Sequence, residues 1–393
     1  MTFGRSMLGH WLLDPSITYL NHGTVGCTPR RVLEAQQSIR EEIERQPSRF
    51  LLRELNGLGT GVPAHERSRL RAAAREVAAF VRARPEDVAL VDNATTGANA
   101  ILQSIDLEAG DEIVVTGMGY GGVVRAAAYH ARRRGARLRV AEIPYPDVTP
   151  ERVLDVVDRA IGPKCRLVVV DHVSSLTALV FPVREIAERC RRKGVPILVD
   201  GAHAPGAIDV DVPSLRVDYY TGNLHKWAFA PRPCGLLWAS PERQAALHPP
   251  VISWGLDEGF LVEFDWMSTR DPSAMLAAPE GIRMMRDLGV EAMRGHNHAL
   301  ARDAARLLAS AWGTDHRVPE EMMGTMCVVP LPASFGSTAD DATRIRDRLL
   351  FEERIEVQLH DLGGRLWARV SAQVYNEIAD VERLAEAVRV RSR

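Results

Sequence analysis

Residues 199–239 read VDGAHAPGAIDVDVPSLRVDYYTGNLHKWAFAPRPCGLLWA. The four residues before Asp200, Pro196 to Val199, form a short apolar run after a glycine turn at Gly194, which predicts a buried strand. The strand ends in an acid, Asp200, followed by small residues and His203. A second run, Val217 to Tyr220, ends in Thr221, Asn223, His225 and Lys226. Two parallel strands that finish side by side set an acid and a lysine in one crevice, where open α/β sheets bind their ligands.

That pair has a definite chemistry. A lysine forms a Schiff base with an aldehyde. A carboxylate keeps a pyridine nitrogen protonated, so that the ring becomes an electron sink, and the two together make the pyridoxal phosphate (PLP) arrangement. Taken singly, a lysine and a strand-end aspartate are ordinary surface features. With Thr221, Asn223 and His225 beside them they favour a site.

VDGAHAPG followed by TGNLHKW resembles the class V aminotransferase superfamily of fold-type I PLP enzymes, and within it the isopenicillin N epimerase-like group. The resemblance implies PLP as cofactor, Lys226 as its Schiff-base lysine, Asp200 as partner of the pyridine nitrogen and His203 as neighbour of the phenolic oxygen. It also implies cofactor contacts for Asn223 and His225. The fold it implies is a large doubly wound α/β domain with a mostly parallel sheet of about seven strands, here 15–260. A small α+β domain made of 1–14 and 261–393 completes it.

Upstream, Val88 to Val91 predicts a strand running into Asp92-Asn93-Ala94-Thr95-Thr96-Gly97. A strand that turns into a helix through small and hydroxylated residues presents free N–H groups and hydroxyls to an anion. Alone this is also ordinary helix capping. Its match to the family's phosphate loop assigns Thr95 and Thr96 to the cofactor phosphate. After the next strand, Glu112 to Thr116, relatives carry an acid and a histidine before a tyrosine; here glycine and methionine replace them and Tyr120 remains. Tyr120 is the candidate to stack on the pyridine ring, with Met118 as the alternative. Two lost polar side chains imply a roomier mouth. The apolar run Leu167 to Val170 predicts a strand covered on both faces, ending in Asp171-His172-Val173-Ser174-Ser175. Ser175 is a candidate near the phenolic oxygen, and His172 reads as structural.

At the N-terminus, 1–20 reads as an extended arm that docks through Trp11, Leu12 and Leu13. Asn21 and His22, in the turn Tyr19 to Gly26, are candidates near the substrate because in the family this loop passes over the site. For His22, a turn histidine bonded to backbone is an equal reading. Thr28 and Pro29 read as the start of a helix whose stripe is Val32, Ala35, Ile39 and Ile43. A second helix is expected from near Pro63, with Leu70, Ala74, Val77 and Val81 on one face. In the C-terminal part, Phe264 to Ser273 matches the family's domain-crossing segment, which implies that Thr269 contacts the phosphate in a neighbouring subunit and that the active species is a homodimer with a shared site. Ser268 stands where relatives have glycine. Arg369, in the terminal motif Arg369 to Asn376, is implied to bind the substrate α-carboxylate through a two-pronged bond.

Lys+Arg is 49 and Asp+Glu 51, a net charge of −2, which argues against nucleic acid or an anionic membrane surface as partner. The basic run at 131–139 reads as the solvated end of a helix before a strand. The five cysteines have no paired spacing and no CxxC, consistent with reduced thiols in a cytoplasm, and no metal is expected. No run reaches transmembrane length. No GxGxxG or P-loop follows a strand, which sets aside a nucleotide-binding α/β protein. A non-enzyme PLP-fold regulator would need no intact set of lysine, aspartate, phosphate loop and arginine.

The expected activity starts at Cα of a bulky amino acid or an S-substituted cysteine, with Lys226 removing the proton. Epimerisation, β-elimination of a sulfur substituent, transamination and oxidative decarboxylation stay open. The resemblance includes relatives in antibiotic pathways, so secondary metabolism is the expected setting. Cysteine desulfurases are set aside, because the loop before the terminal arginine, IEVQLHDLGGRLWAR, is short and holds no cysteine.

Overall fold

A computed structural model of the chain describes residues 2–55 and 68–389. Seven strands form one sheet in the order β2-β8-β7-β6-β5-β3-β4. They are β2 (Val88–Val91), β3 (Glu112–Thr116), β4 (Arg137–Ala141), β5 (Cys165–Asp171), β6 (Ile197–Gly201), β7 (Tyr219–Asn223) and β8 (Gly235–Ala239). All run parallel except β8, which is antiparallel to both β2 and β7. The central strands β6 and β7 are buried along their whole length and β5 at every residue but Arg166, as their continuous apolar runs predict for a sheet covered on both faces. Strand β4 escapes that pattern. It lies at the sheet edge with exposed arginines, so it has no continuous apolar run.

A smaller unit carries the antiparallel sheet β11-β12-β9, from β9 (Met326–Pro330), β11 (Gln358–Leu362) and β12 (Arg365–Ser371). The helices Val290–Trp312, Ala339–Phe351 and Ile378–Arg389 belong with it, and their apolar faces share one core with the sheet. The two cores do not divide at residue 260. The helix Ser273–Leu288 buries Ala274, Met275, Ala278, Ile282 and Met285 in the large core. At the N-terminus, Met7 and Trp11 also join the large core, because the arm folds back on it through a short turn at Arg5–His10. Strand β1 (Thr18–Tyr19) pairs with β10 (Ile355–Glu356), and Leu20 enters the small core. Trp11 docks as expected and donates its indole N–H to Cys27 O at 3.1 Å, whereas Leu12 is 63% exposed.

Pro29, not Thr28, is the cap of the helix Arg30–Arg45; the Thr28 hydroxyl turns instead to Ala230 O. The helix Arg69–Phe80 is capped by Ser68, which accepts from Arg71 N–H, and the expected start near Pro63 lies outside the described residues.

Candidate active site

Strands β5, β6 and β7 end level with one another, and their registers pair Asp171 with Asp200 and Asp200 with Thr221. Beyond these ends lies a cavity of about 900 Å³, at the upper end of the roughly 300–1,000 Å³ typical of ligand pockets. Asp200, His203, Asn223, His225 and Lys226 all line it, so the strand-end crevice expected from 199–239 is present.

Asp200 is buried. Its Oδ1 accepts from Ala202 N–H at 2.9 Å, and its Oδ2 has no partner. A buried carboxylate oxygen left without a donor is costly, and a protonated pyridine nitrogen is a donor that would satisfy it. Lys226 Nζ lies 3.0 Å from His203 Nε2. Burial and the Arg369 charge lower the lysine to about 8, while Asp200 and Asp171 pull the other way. His203 is pushed well below its usual value, first by burial and then by Lys226, so its imidazole is neutral. His225 holds the Cys234 carbonyl at 2.7 Å and is lowered to about 4, mainly by burial. Gly26, at φ +70°, comes so close to His225 O that any Cβ there would collide with it; glycine lets this loop close against the lysine segment.

Thr95 and Thr96 line the cavity in the first turn of the helix Ala94–Ser104. Two buried or half-buried amides fix that end. Asn93 Oδ1 accepts from Thr96 N–H at 2.9 Å and Asn223 Oδ1 from Ala94 N–H at 2.8 Å. Among the described residues the Thr95 N–H has no partner. A helix start with a free N–H and two hydroxyls facing a cavity fits a phosphate. The sheet-end acid, the lysine and this helix start lie in one cavity, so the residues present fit PLP.

Tyr120 lines the cavity and is 46% exposed, whereas Met118 is buried off the cavity wall and its carbonyl accepts from the Ser174 hydroxyl. Ser175 is on the wall, and its carbonyl accepts from Arg369 Nη1 at 2.5 Å. Arg369 reaches the cavity from β12. Its Nη2 donates to the Thr24 hydroxyl at 2.6 Å, its Nε is buried without a partner, and burial lowers it to about 10. His172 bonds Tyr220 at 3.0 Å behind the wall.

Three candidates fall elsewhere. Asn21 and His22 do not line the cavity; Thr24 and Val25 of the same loop do. Asn21 is tied to Glu356 at 2.8 Å. His22 is fully buried with both ring nitrogens engaged, by Tyr375 at 2.8 Å and by Lys226 O at 2.9 Å. It braces the lysine's backbone rather than facing the cavity. Thr269 is exposed and lies outside its own chain's cavity. Ser268, just before it, sits at φ +107°, a conformation that suits glycine and strains any other residue.

Sequence reasoning passed over Asp171, which is buried, lines the cavity, and accepts at long range, 3.5 Å, from Tyr120 N–H. It also passed over Gln358 and His360 on β11. Their signal is their alternation along a strand whose other face enters the small core.

The family model for aminotransferase class V matches residues 27–384. The chain belongs to the class V aminotransferase family. It is 32% identical over 404 residues to a probable L-cysteine desulfhydrase, chloroplastic, of Arabidopsis thaliana, covering 95% of this chain and 83% of that one. It is also 32% identical over 398 residues to the isopenicillin N epimerase of Streptomyces clavuligerus, covering 97% and 96%. Among solved structures, a cysteine desulfurase from Thermococcus onnurineus superposes with a TM-score of 0.80 at 19% identity, covering 99% and 98%. The chain is thus a PLP-dependent enzyme with the fold-type I architecture. No helix among the described residues is long and apolar enough to cross a membrane.

Proposed function

We propose that the enzyme removes the Cα proton of a bulky amino acid or S-substituted cysteine and completes a β-elimination, acting as a C–S lyase. The observation that carries this reading is the composition of the cavity wall. Among the described residues it holds a lysine amine at 3.0 Å from a neutral histidine, a buried arginine and no cysteine.

Bound PLP supplies the electron sink that acidifies the Cα–H bond. Lys226, lowered to about 8, is the base: near neutral pH a useful fraction of its amine is free to take the Cα proton. Neutral His203 adds no positive charge against that proton transfer. Asp200 Oδ2 would keep a proton on the ring nitrogen. Arg369 would clamp the α-carboxylate and Tyr120 would cover the ring. Ser175 and His203 would hold the phenolic oxygen, and Asn223, through Ala94 N–H, fixes the helix start at which Thr95 and Thr96 would take the phosphate. When the C–S bond breaks, the departing sulfur meets no cysteine on the wall. Cys327 and Cys234 are buried elsewhere with their thiols pushed up by burial. The sulfur therefore leaves as a free thiol.

Epimerisation is the second reading. It is favoured by the likeness to isopenicillin N epimerase over nearly the whole chain and by the exposed Tyr120 at the mouth. The active species in this reading is a homodimer in which exposed Thr269 reaches the other subunit's phosphate, and the five free cysteines suit a cytoplasm. A role in antibiotic-type secondary metabolism rests on the same likeness.

The test is a panel of cysteine S-conjugates and bulky L-amino acids in deuterated water. Pyruvate, ammonia and free thiol in equal amounts support elimination, and Cα deuterium with inversion supports epimerisation. Substrates recovered free of deuterium, beside rapid persulfide formation from free cysteine, would overturn both.

A further inference from the structure

The cavity has a wall that the chemistry at Cα does not use. Strand β11 turns Leu359 into the small-domain core, which points its neighbours Gln358 and His360 the other way, and both line the same cavity as Lys226. In the antiparallel register with β12, Gln358 stands opposite Arg369 and His360 opposite Trp367. Trp367 is held against Tyr145, with ring centroids 5.0 Å apart. A row of polar groups therefore leads from Arg369 past Gln358 to His360.

These groups have spare bonding capacity. His360 Nε2 is buried with no partner. The Gln358 amide donates to Leu359 O at 3.2 Å, and no partner takes its carbonyl among the described residues. The charges felt at His360 are positive: Arg369 from β12 and Arg346 from the helix Ala339–Phe351 both act on it. Arg232 also lines the cavity, while the lining acids Asp171 and Asp200 sit at the strand ends of the large sheet. Burial, before those charges, lowers His360 to about 3 and keeps its ring neutral; with its proton on Nε2 it is a donor without an acceptor in a positive field, a poor place for an alkyl chain and a good one for an anion.

We infer that the face of β11 carrying Gln358 and His360 is a second carboxylate subsite, which selects substrates bearing an acidic group on the side chain. The inference rests on the proposed Cα chemistry and narrows its substrate class. Arg369 takes the α-carboxylate and the β11 row takes the distal one. Gln358 and His360 are specificity-determining residues with no part in the proton transfer at Cα.

The experiment uses the PLP-loaded enzyme and two probes, S-(2-carboxyethyl)-L-cysteine and S-propyl-L-cysteine. They share the sulfur and differ by the distal carboxylate. Dissociation constants are read from the change in cofactor absorbance on titration. The expected result is a preference of about tenfold or more for the carboxyethyl probe, the size of a charge-assisted hydrogen bond. His360→Leu should reduce that preference to within about threefold, while S-propyl affinity stays within a factor of about two. Gln358→Leu, at a half-exposed position, supplies a second reading that does not depend on packing around the histidine. Equal binding of both probes by the unaltered enzyme, or a preference undiminished in both variants, would overturn the subsite and leave the Cα chemistry standing. Failure of either probe to perturb the cofactor of loaded protein would overturn the Cα reading and the subsite with it.

Discussion

Asp171 and Asp200 are register partners at the ends of two adjacent parallel strands, both buried and both on the wall of one cavity. Two like charges so placed do not ionise independently. Burial and then Asp200 push Asp171 well above 3.8; its bonds from Tyr120 and Ser175 N–H pull only partly back. Burial raises Asp200 too, but the Ala202 N–H and the Lys226 charge pull it back, so of the two Asp171 is the one placed to keep the proton and Asp200 the one placed to carry the negative charge that a pyridinium needs.

A first prediction concerns the stability of the PLP-free protein. Above about pH 3.9 an unfolded Asp171 loses its proton, whereas the folded one keeps it. The folded state then binds more protons, so the contribution of Asp171 falls as pH rises through that window. Asp171→Asn removes this loss. Melting temperatures from pH 4 to 8 should show the variant gaining on the parent as pH rises. A constant offset would mean that Asp171 is ionised in the fold.

Asp200 is predicted to behave oppositely. Asp200→Ala leaves the ring nitrogen with no carboxylate and should lower turnover by two or more orders of magnitude, the usual scale for losing a fixed charge at the reacting centre (about 10²–10³). Asp171→Asn should cost far less near neutral pH. Steady-state rates of the two variants side by side decide it, and similar losses would count against the division of roles.

Lys226 gives a pH prediction with its own sign. Only the free amine captures an aldehyde, and burial lowers this lysine to about 8. Uptake of PLP by the apo-protein, followed by absorbance, should accelerate as pH rises and level off above about 8. A lysine near 10.5 would still be accelerating there. Borohydride reduction followed by peptide mapping should find the pyridoxyl group on Lys226 and not on Lys164 or Lys193, the other lysines of the chain.

What the sequence made legible follows from the physics of each segment. Strands β2 and β3 lie at the limits the sequence predicts because each is an apolar run bounded by turn residues. Asp200, Lys226, Thr95 and Thr96 were legible because site residues sit at strand and helix ends that sequence can locate. Asp171 was not, because its importance comes from its register with Asp200, 29 positions away on another strand, and register is a tertiary fact. His22 stayed open between two readings for a related reason: a loop histidine near the lysine can face the cavity or the backbone, and Tyr375, at the far end of the chain, helps hold it to the backbone one. That Ser268 stands where relatives have glycine is visible in the sequence; that the backbone there has φ +107° is not.

The strained segment leads to a prediction on assembly. Ser268→Gly relieves a backbone conformation that costs about 1–3 kcal/mol, less the entropy that glycine loses on folding, and should raise stability in urea by about 1 kcal/mol. Thr269→Ala should loosen PLP by about 1.5–3 kcal/mol if its hydroxyl bonds the phosphate of the other subunit. Sedimentation of the active protein should give a dimer; full activity in a monomeric preparation would remove Thr269 from the site.

Arg369 has two possible lives, and kinetics can separate them. Its Nη1 and Nη2 donate to Ser175 O and the Thr24 hydroxyl, so it ties the small domain to both the wall and the N-terminal loop. A residue used only in that way would, when lost, loosen everything equally. Yet its Nε is buried without a partner and the cavity lies beside it. A buried guanidinium with spare donors and no carboxylate of its own is waiting for an anion. Arg369→Ala should therefore weaken amino-acid binding by about 2–5 kcal/mol while changing PLP affinity much less. Arg369→Lys keeps the charge but loses the planar fork and should recover only part of the binding. Spectral titration with one amino acid and with its carboxamide completes the comparison. The carboxamide should bind the parent weakly and the Ala variant no worse. An equal fall for amino acid, carboxamide and PLP in Arg369→Ala would make the arginine a domain tie and leave the α-carboxylate to another group.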